Sequence, residues 1–450
     1  MRLEPDADLI MNVALVKPTT GQAASNVFAA ARDRLPGNGP VAEVRQAAFD
    51  DFAQKGLPNR RIEDWKYTDL RVLMREVLPL AQAPDQAALA KAGATLGAEV
   101  LASAYRLVLV DGVYAPQLSD VAGLEKGLRI QSLREALDAG NDRSSGLLDA
   151  PAPADVMISL NTAMATDGVI VTVGEGVSLT KPVHIAHVAT ASSASVFTRS
   201  RVQVGKGARV TLIESFSAAG GAKSYQANDA LIVSVGDEAD LAHVRLMSDA
   251  ADAINISSSL VTVGAKSKVN FFGLTGGGRV SRYQGFVTLA GEGSDLSING
   301  VSLLKDAQHA DMTLAVDHAV PNCASREVFR AVVDDRAHSV FQGKIIVRPD
   351  AQKTDGKMMT RALLLSDDAE ADNKPELEIF ADDVTCGHGA TVGALDESLL
   401  FYLRARGLSE KEAQALLIQA FVGEAIESIA DDGLRDVAVA AAERWLAARG

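Results

Sequence analysis

Cysteine is nearly absent from this chain. Cys323 and Cys386 are the two thiols in 450 residues. That is too few for a disulfide framework and points to a reducing, cytoplasmic setting. Basic residues are outnumbered, with 44 Lys plus Arg against 58 Asp plus Glu and a net charge of −14. Such a chain repels phosphate backbones unless its cations are concentrated, and no basic run occurs, so nucleic acid is not an expected partner. No apolar run approaches the roughly 20 residues that span a bilayer, so no membrane partner is expected. The opening residues, Met1-Arg-Leu-Glu-Pro-Asp6, lack a cationic stretch leading into an apolar one, and no export signal is expected. There is no Gly-x-x-x-x-Gly-Lys-Ser/Thr loop and no Gly-x-Ser-x-Gly elbow. Neither intrinsic ATP hydrolysis nor serine-hydrolase chemistry is therefore expected.

The hydrophobic share of 47% and charged share of 23% suit an ordinary globular chain and exclude wholesale disorder. At about 150 residues per domain, three domains fit, as does one elongated domain with end pieces. Residues 1–104 read as helical. An Ala-rich helix over 22–35 is broken by Pro36-Gly-Asn-Gly-Pro40, and a second helix starts at Val41, with Val44, Ala48 and Phe52 on one face. Residues 70–78 read as a short helix stopped by Pro79, and residues 80–100 are weakly specified. Residues 105–167 form an αβ lead-in that begins with the strand Tyr105–Val110.

From residue 168 to 395 the chain repeats itself. Val171-Thr-Val-Gly-Glu-Gly-Val177 is echoed by Val202-Gln-Val-Gly-Lys-Gly-Ala208, Val233-Ser-Val-Gly-Asp-Glu-Ala239, Val261-Thr-Val-Gly-Ala-Lys-Ser267 and Val287-Thr-Leu-Ala-Gly-Glu-Gly293. Gly174, Gly205, Gly236 and Gly264 lie 31, 31 and 28 residues apart. A β unit recurring at this period predicts a solenoid or a propeller. The drifting period and the lack of blade motifs favour a β-helix, and a β-sandwich with similar Gly turns is the alternative. Residues 396–450 are helical again. Asp396 is a candidate N-cap, Gly407 a C′ residue, and Ser409 with Glu412 a capping box. In the helix after Ser409, one face should carry Ala413, Leu416, Leu417, Ala420, Phe421 and Ala425. A last helix runs from about Leu434 to Ala448.

The segment Asp382-Asp-Val-Thr-Cys386-Gly-His388-Gly-Ala-Thr391 is the strongest candidate for chemistry. In an extended strand Cys386 and His388 share one face, and thiolate beside imidazole makes a pair of metal ligands. Gly387 and Gly389 leave room for something large to approach. Two ligands do not close a metal site, so the rest must come from elsewhere or from a partner chain. The alternative is a buried Cys beside a partly exposed His with no metal role. His309, His318, Cys323 and His338 match no zinc spacing, and 309–323 reads as an insertion between repeats. His184, His187 and His243 read as structural, the first two on opposite faces of a strand. Gly273-Leu-Thr-Gly-Gly-Gly-Arg279 reads as a solenoid turn. Arg60-Arg-Ile-Glu63-Asp64-Trp65-Lys66-Tyr67-Thr68 reads as a segment that pins a helical cap by burial and ion pairs.

That last stretch, extended to Leu70, resembles the N-terminal signature of the SufB/SufD family of the SUF iron–sulfur cluster assembly system. The resemblance continues through Phe341–Lys344, Ala351–Asp355, Leu363–Ser366, Pro375–Ile379, Asp383–Thr391 and Phe401–Gly407. With two cysteines and the Trp65 motif, the chain resembles the SufD side of that family. The resemblance implies a mainly β chain, a right-handed parallel β-helix between N-terminal and C-terminal helical regions. It implies a non-catalytic scaffold in a cytoplasmic complex with a SufB paralogue and the SufC ABC-type ATPase, which supplies ATP hydrolysis. A homodimer of the chain alone is a further possibility. It implies that His388, with Cys386, lies at the SufB–SufD interface, where a transient iron–sulfur cluster forms. It places ATPase docking on the C-terminal helices, at Phe401, Tyr402, Arg404, Arg406, Leu416 and Phe421. Gly387 stands where many relatives carry Ser. Two other readings stay open here: a β-helix carbohydrate-active enzyme, and an assembly subunit without a metal role.

Overall fold

The computed structural model describes residues 20–96, 103–140, 144–150 and 155–449. The opening residues on which the export expectation rests lie outside them, as do residues 97–100 of the Ala-rich stretch.

The repeat folds as expected, into a parallel β-solenoid. Its strands alternate between two sheets, one of ten strands and one of nine, so that each coil contributes one strand to each sheet. The recurring valines stack in register. Val171 pairs with Val202, Val202 with Val233, Val233 with Val261, and Val261 with Val287. The column continues through Val316, Ile345 and Leu377. Burying one branched aliphatic per coil in one line is what makes the period visible in the sequence. Three of the repeat glycines, Gly205, Gly236 and Gly264, have a packing reason. A Cβ on Gly236 would sit 2.7 Å from the Lys206 nitrogen and 2.9 Å from the Gly205 carbonyl carbon of the coil beneath. The 309–323 segment is not an insertion. Strand His309–His318 pairs in full register with Val280–Leu289 and His338–Val347.

The two helical regions cover the outer faces of the two sheets. The C-terminal helices Glu410–Ile426 and Asp432–Ala448 bury Ile418, Val422, Ile426, Leu434 and Trp445 against Val301, Leu303 and Val332. Helix Glu397–Ala405, N-capped by Asp396, buries none of its residues. The capping box of Ser409 and Glu412 forms as expected. The buried face of the next helix is rotated from the expected one: Leu416 is exposed, and Ile418 and Val422 are buried instead. This helix is apolar around most of its circumference, so its own pattern does not choose a face and the sheet does.

On the other sheet, Trp65 is buried and the Arg282 guanidinium lies 3.8 Å from its ring centroid. Trp65 Nε1 donates to Asp155 Oδ2 at 2.9 Å, and Arg282 donates to the Asp64 carbonyl at 2.6 Å and pairs with Asp311. Lys374 pairs with Glu63. The Trp65 segment therefore pins the N-terminal region to the solenoid, as expected. The helix expected over 70–78 is only Leu70–Leu73. Arg75 takes a left-handed φ of 73°, and beyond it the chain runs along the solenoid, where the Ala81 N–H donates to the Ser195 carbonyl and the Ser195 N–H to the Pro79 carbonyl. Pairing with a sheet edge outcompetes a short helix that has little to bury.

The solenoid interior is not uniformly apolar. Glu327 is fully buried, and neither carboxylate oxygen has a hydrogen-bond partner. Burial pushes its pKa up to about 8. Four histidines are buried and held neutral, His187 and His318 inside the solenoid and His184 and His309 on its outer side, each pushed down to about 4, mainly by desolvation.

Two outcomes follow from this packing. Gly236→Ala forces backbone apart between coils and should cost about 2–3 kcal/mol. Gly387→Ala meets nothing within 4 Å and should stay within about 0.5 kcal/mol of wild type. Urea denaturation of both variants checks this, and equal costs would contradict the close-approach account. The second outcome concerns Glu327. Its folded pKa lies above its unfolded value, so the protein loses stability as pH rises from about 4.5 to about 8. Glu327→Gln removes that loss. The gap between the two proteins should widen with pH to on the order of 4 kcal/mol by pH 8.5, at about 1.4 kcal/mol per unit. Parallel stability–pH curves would show that Glu327 is not held protonated.

Candidate functional site

Both sheets end at the same coil. Strands Glu370–Ile379 and Thr385–Gly393 are the last of their sheets, each paired on one side only. Their outer backbone edges are therefore open for pairing with another chain. Apolar side chains are exposed there, with Phe380 at 60%, Val392 at 48% and Ile379 at 41%.

Cys386 and His388 lie on the second of these strands, on the row that faces the interior. Cys386 pairs with Gly356 and His388 with Met358, whose side chain is buried in the core. The columns they complete change character along the solenoid. One reads Val210, Leu241, Val269 and Leu296, then Ser325, Gly356 and Cys386. Its neighbour reads Leu212, His243, Phe271 and Ile298, then Glu327, Met358 and His388. These two columns are thus mostly aliphatic or aromatic in the early coils and turn polar toward the open end. The facing sheet adds His318, whose Nε2 is 3.0 Å from Ser325 Oγ. Asn373 Oδ1 accepts from Thr360 Oγ1 at 2.9 Å. Sequence reasoning missed Glu327. A lone acid in a β run gives no sign of facing inward until the register is known.

Cys386 is half-buried. Desolvation raises its thiol pKa, with Asp355 and Glu327 adding to the effect. It is therefore a protonated thiol at neutral pH and becomes a thiolate ligand only when a cation compensates. His388 is exposed, because no further coil covers it. The space expected beside the pair exists at Gly387, where a Cβ would meet nothing, whereas at Gly389 it would lie 2.6 Å from Met359 Cε. Among the described residues, one group of three or more potential ligand side chains converges within reach of a metal, and neither Cys386 nor His388 belongs to it. By themselves the two side chains do not close a metal site.

The looser cluster of histidines does not come together. His309 and His338 lie on the outer face, edge to face at 4.9 Å. His309 Nε2 is 2.9 Å from Thr68 Oγ1, and His338 Nε2 is 2.7 Å from Asp372 Oδ2. His318 faces inward. Cys323 is buried, with Sγ 3.4 Å from the Gly291 carbonyl. On the C-terminal helices, Phe401 is 75% exposed, and Tyr402, Leu416, Arg404 and Arg406 are exposed as well. Arg406 stacks over the Tyr402 ring at 4.7 Å, and Arg404 pairs with Glu410 at 3.5 Å. Phe421 differs from the others. It is half-buried under Arg330 at 5.6 Å and serves packing.

Comparison with known proteins covers most of the chain. Residues 187–421 match the profile described as SUF system FeS cluster assembly, SufBD core domain, and residues 26–185 match that of the SufBD protein N-terminal region. The chain is 32% identical to the iron–sulfur cluster assembly protein SufD of Escherichia coli over 410 residues, 88% of this chain and 90% of that one. It is 30% identical to an iron–sulfur cluster assembly SufBD family protein of Synechocystis over 406 residues, 86% of this chain and 87% of that one. It is 26% identical to the chloroplastic protein ABCI7 of Arabidopsis thaliana over 417 residues, 89% of this chain and 85% of that one. Matches to two family profiles that together span residues 26–421, and 32% identity over 88% of the chain, show that it belongs to the SufBD family of SUF-system iron–sulfur cluster assembly proteins.

Proposed function

We propose that this chain is a non-catalytic scaffold that pairs with a SufB paralogue through its open last coil and lends His388, supported by Cys386, to a cluster forming at that seam. The observation that carries the reading is the coincidence of three features at one end. The sheet edges are unpaired, apolar side chains are exposed, and an incomplete thiol–imidazole pair lies on the inward row. A partner strand added to either edge satisfies its backbone groups and covers Phe380 and Val392. It also brings further ligands to the pair. The iron–sulfur cluster is cargo here, and an incomplete ligand set suits cargo that must leave. The interior polarity near Glu327 and Ser325 places hydrogen-bonding groups behind the pair.

The C-terminal helices are the docking surface for the SufC ATPase in this reading. Helix Glu397–Ala405 stands clear of the core and presents Phe401 and Tyr402, with Leu416 exposed on the next helix. Exposed aromatics beside Arg406 are the composition of an interface anchor. The two free cysteines suit a reducing cytoplasm. A carbohydrate-active solenoid gathers several carboxylates along an outer groove, and the acids of this chain do not recur at one repeat position.

Two measurements test the assignments separately. In the anaerobically co-expressed complex with SufB and SufC, His388→Ala should leave assembly intact and sharply lower iron and acid-labile sulfide. Unchanged cluster content would remove the ligand role and leave an assembly subunit. Joint replacement of Phe401 and Tyr402 by Ala should abolish capture of SufC and leave SufB pairing intact. Retention of SufC would move the docking surface elsewhere.

A further inference from the structure

The group of converging ligand side chains noted above lies in the first coils, far along the chain from Cys386. His187 and Glu214 project inward from neighbouring strands of one sheet, Val183–Ala189 and Arg209–Ala218. Asp229 projects inward from Gln226–Val235 of the facing sheet. One ligand atom from each lies within 4.8 Å of the others, and all three residues are buried. Their environment is built for something more than packing. His187 is 9% exposed, its ring is stacked on Phe216 at 4.3 Å, and its Nε2 has no hydrogen-bond partner. Thr198 Oγ1 fixes Asp229 by donating to Oδ1 at 2.5 Å, and His243 Nε2 lies 2.8 Å from Glu214 Oε2. A cavity of about 20 Å³, large enough for one water-sized occupant, adjoins the group and is lined by His187, Thr198, Asp229, Tyr225 and Asp249.

Negative charge is in excess in this interior. Three buried carboxylates, Glu214, Asp229 and Asp249, face two buried guanidiniums, that of Arg245 and, acting on Asp229, that of Arg199. Arg245 lies 3.9 Å from Glu214 and is held between the Phe216 and Tyr283 rings at 4.4 and 4.7 Å. An unpaired carboxylate inside a protein costs several kcal/mol or more unless a cation or a proton compensates it. An imidazole within 4.8 Å of two fixed carboxylates, with its Nε2 unpartnered and a cavity for one small occupant beside it, matches the donor set of a first-row divalent ion. One nitrogen and two oxygens suit Zn²⁺ or Fe²⁺, with water completing the shell.

We infer that His187, Glu214 and Asp229 form a buried divalent-cation site that ties the two sheets together across the first coils, separate from the Cys386–His388 end. It does not depend on the proposed function, and it predicts a resident structural ion, distinct from any cargo.

The test is cobalt titration of the full chain, stripped with chelator and kept anaerobic. Wild type should bind a single tight equivalent whose visible spectrum shows d–d bands of nitrogen and oxygen ligation and no thiolate charge transfer. Asp229→Asn and His187→Gln should each weaken binding by about tenfold or more. Zn²⁺ should raise the melting temperature of wild type, and Asp229→Asn should need about tenfold or more Zn²⁺ for the same rise. Asp229→Asn is close to isosteric and removes a buried charge, so its metal-free form should melt near wild type. That keeps the comparison meaningful if His187→Gln fails to fold. Absence of a bound equivalent in wild type overturns the site, and so does full retention of cobalt in Asp229→Asn. Either result would assign the excess negative charge to a bound proton.

Discussion

Every inner strand of this solenoid gives its backbone hydrogen bonds to the coil before it and the coil after it, in register. That ladder is the constraint on which the rest of the molecule depends. It stacks equivalent positions into columns, so one residue type is repeated down the core, and it tolerates no Cβ where coils touch, as at Gly236. It also has an end. At Glu370–Ile379 and Thr385–Gly393 the ladder stops with donors and acceptors unspent, in two sheets at once. An edge of that kind either aggregates or is matched by a partner. Its exposed apolar residues and its Cys386–His388 pair favour the second outcome.

The columns explain why polar side chains gather there. A side chain on an inward row contacts the equivalent positions one coil away, so polarity introduced at Ser325 and Glu327 is felt at Cys386 and His388. Burial raises the thiol pKa of Cys386, and Asp355 and, from a coil two steps back, Glu327 add to the effect. The first coils carry a second polar interior at His187, Glu214 and Asp229, and the aliphatic and aromatic core between them separates the two. Polar interiors are costly and survive where hydrogen bonds, ions or partners compensate them.

The helical regions are held by different physics on the two faces. On one sheet the grip is specific: the buried Arg282 lies over the buried Trp65, ion-pairs with the buried Asp311 and hydrogen-bonds the Asp64 carbonyl. On the other it is broad aliphatic packing around Ile418, Val422 and Trp445. Specific polar contacts fix an orientation, whereas aliphatic packing secures adhesion. The C-terminal helices are consequently free to leave one member, Glu397–Ala405, standing off the core with its aromatics exposed.

The sequence by itself determined the repeat, its period and the extended state of the Cys386 strand, because a column of stacked valines must recur once per coil. Local capping chemistry likewise determined the helix starts at Asp396 and Ser409, since each cap is satisfied within a few residues. What only the tertiary structure decided were matters of facing and stacking. The chain beyond Arg75 chose a sheet edge over a helix, because backbone pairing was available there. The helix after Ser409 turned Leu416 outward, because an apolar circumference has no preferred side until a sheet meets it. His309, His318 and His338 were dispersed across two faces, because a single strand sends alternate residues to opposite sides. Glu327 and the trio of His187, Glu214 and Asp229 became visible only when register brought distant coils together, since residues about 30 apart in the chain become neighbours solely through the ladder.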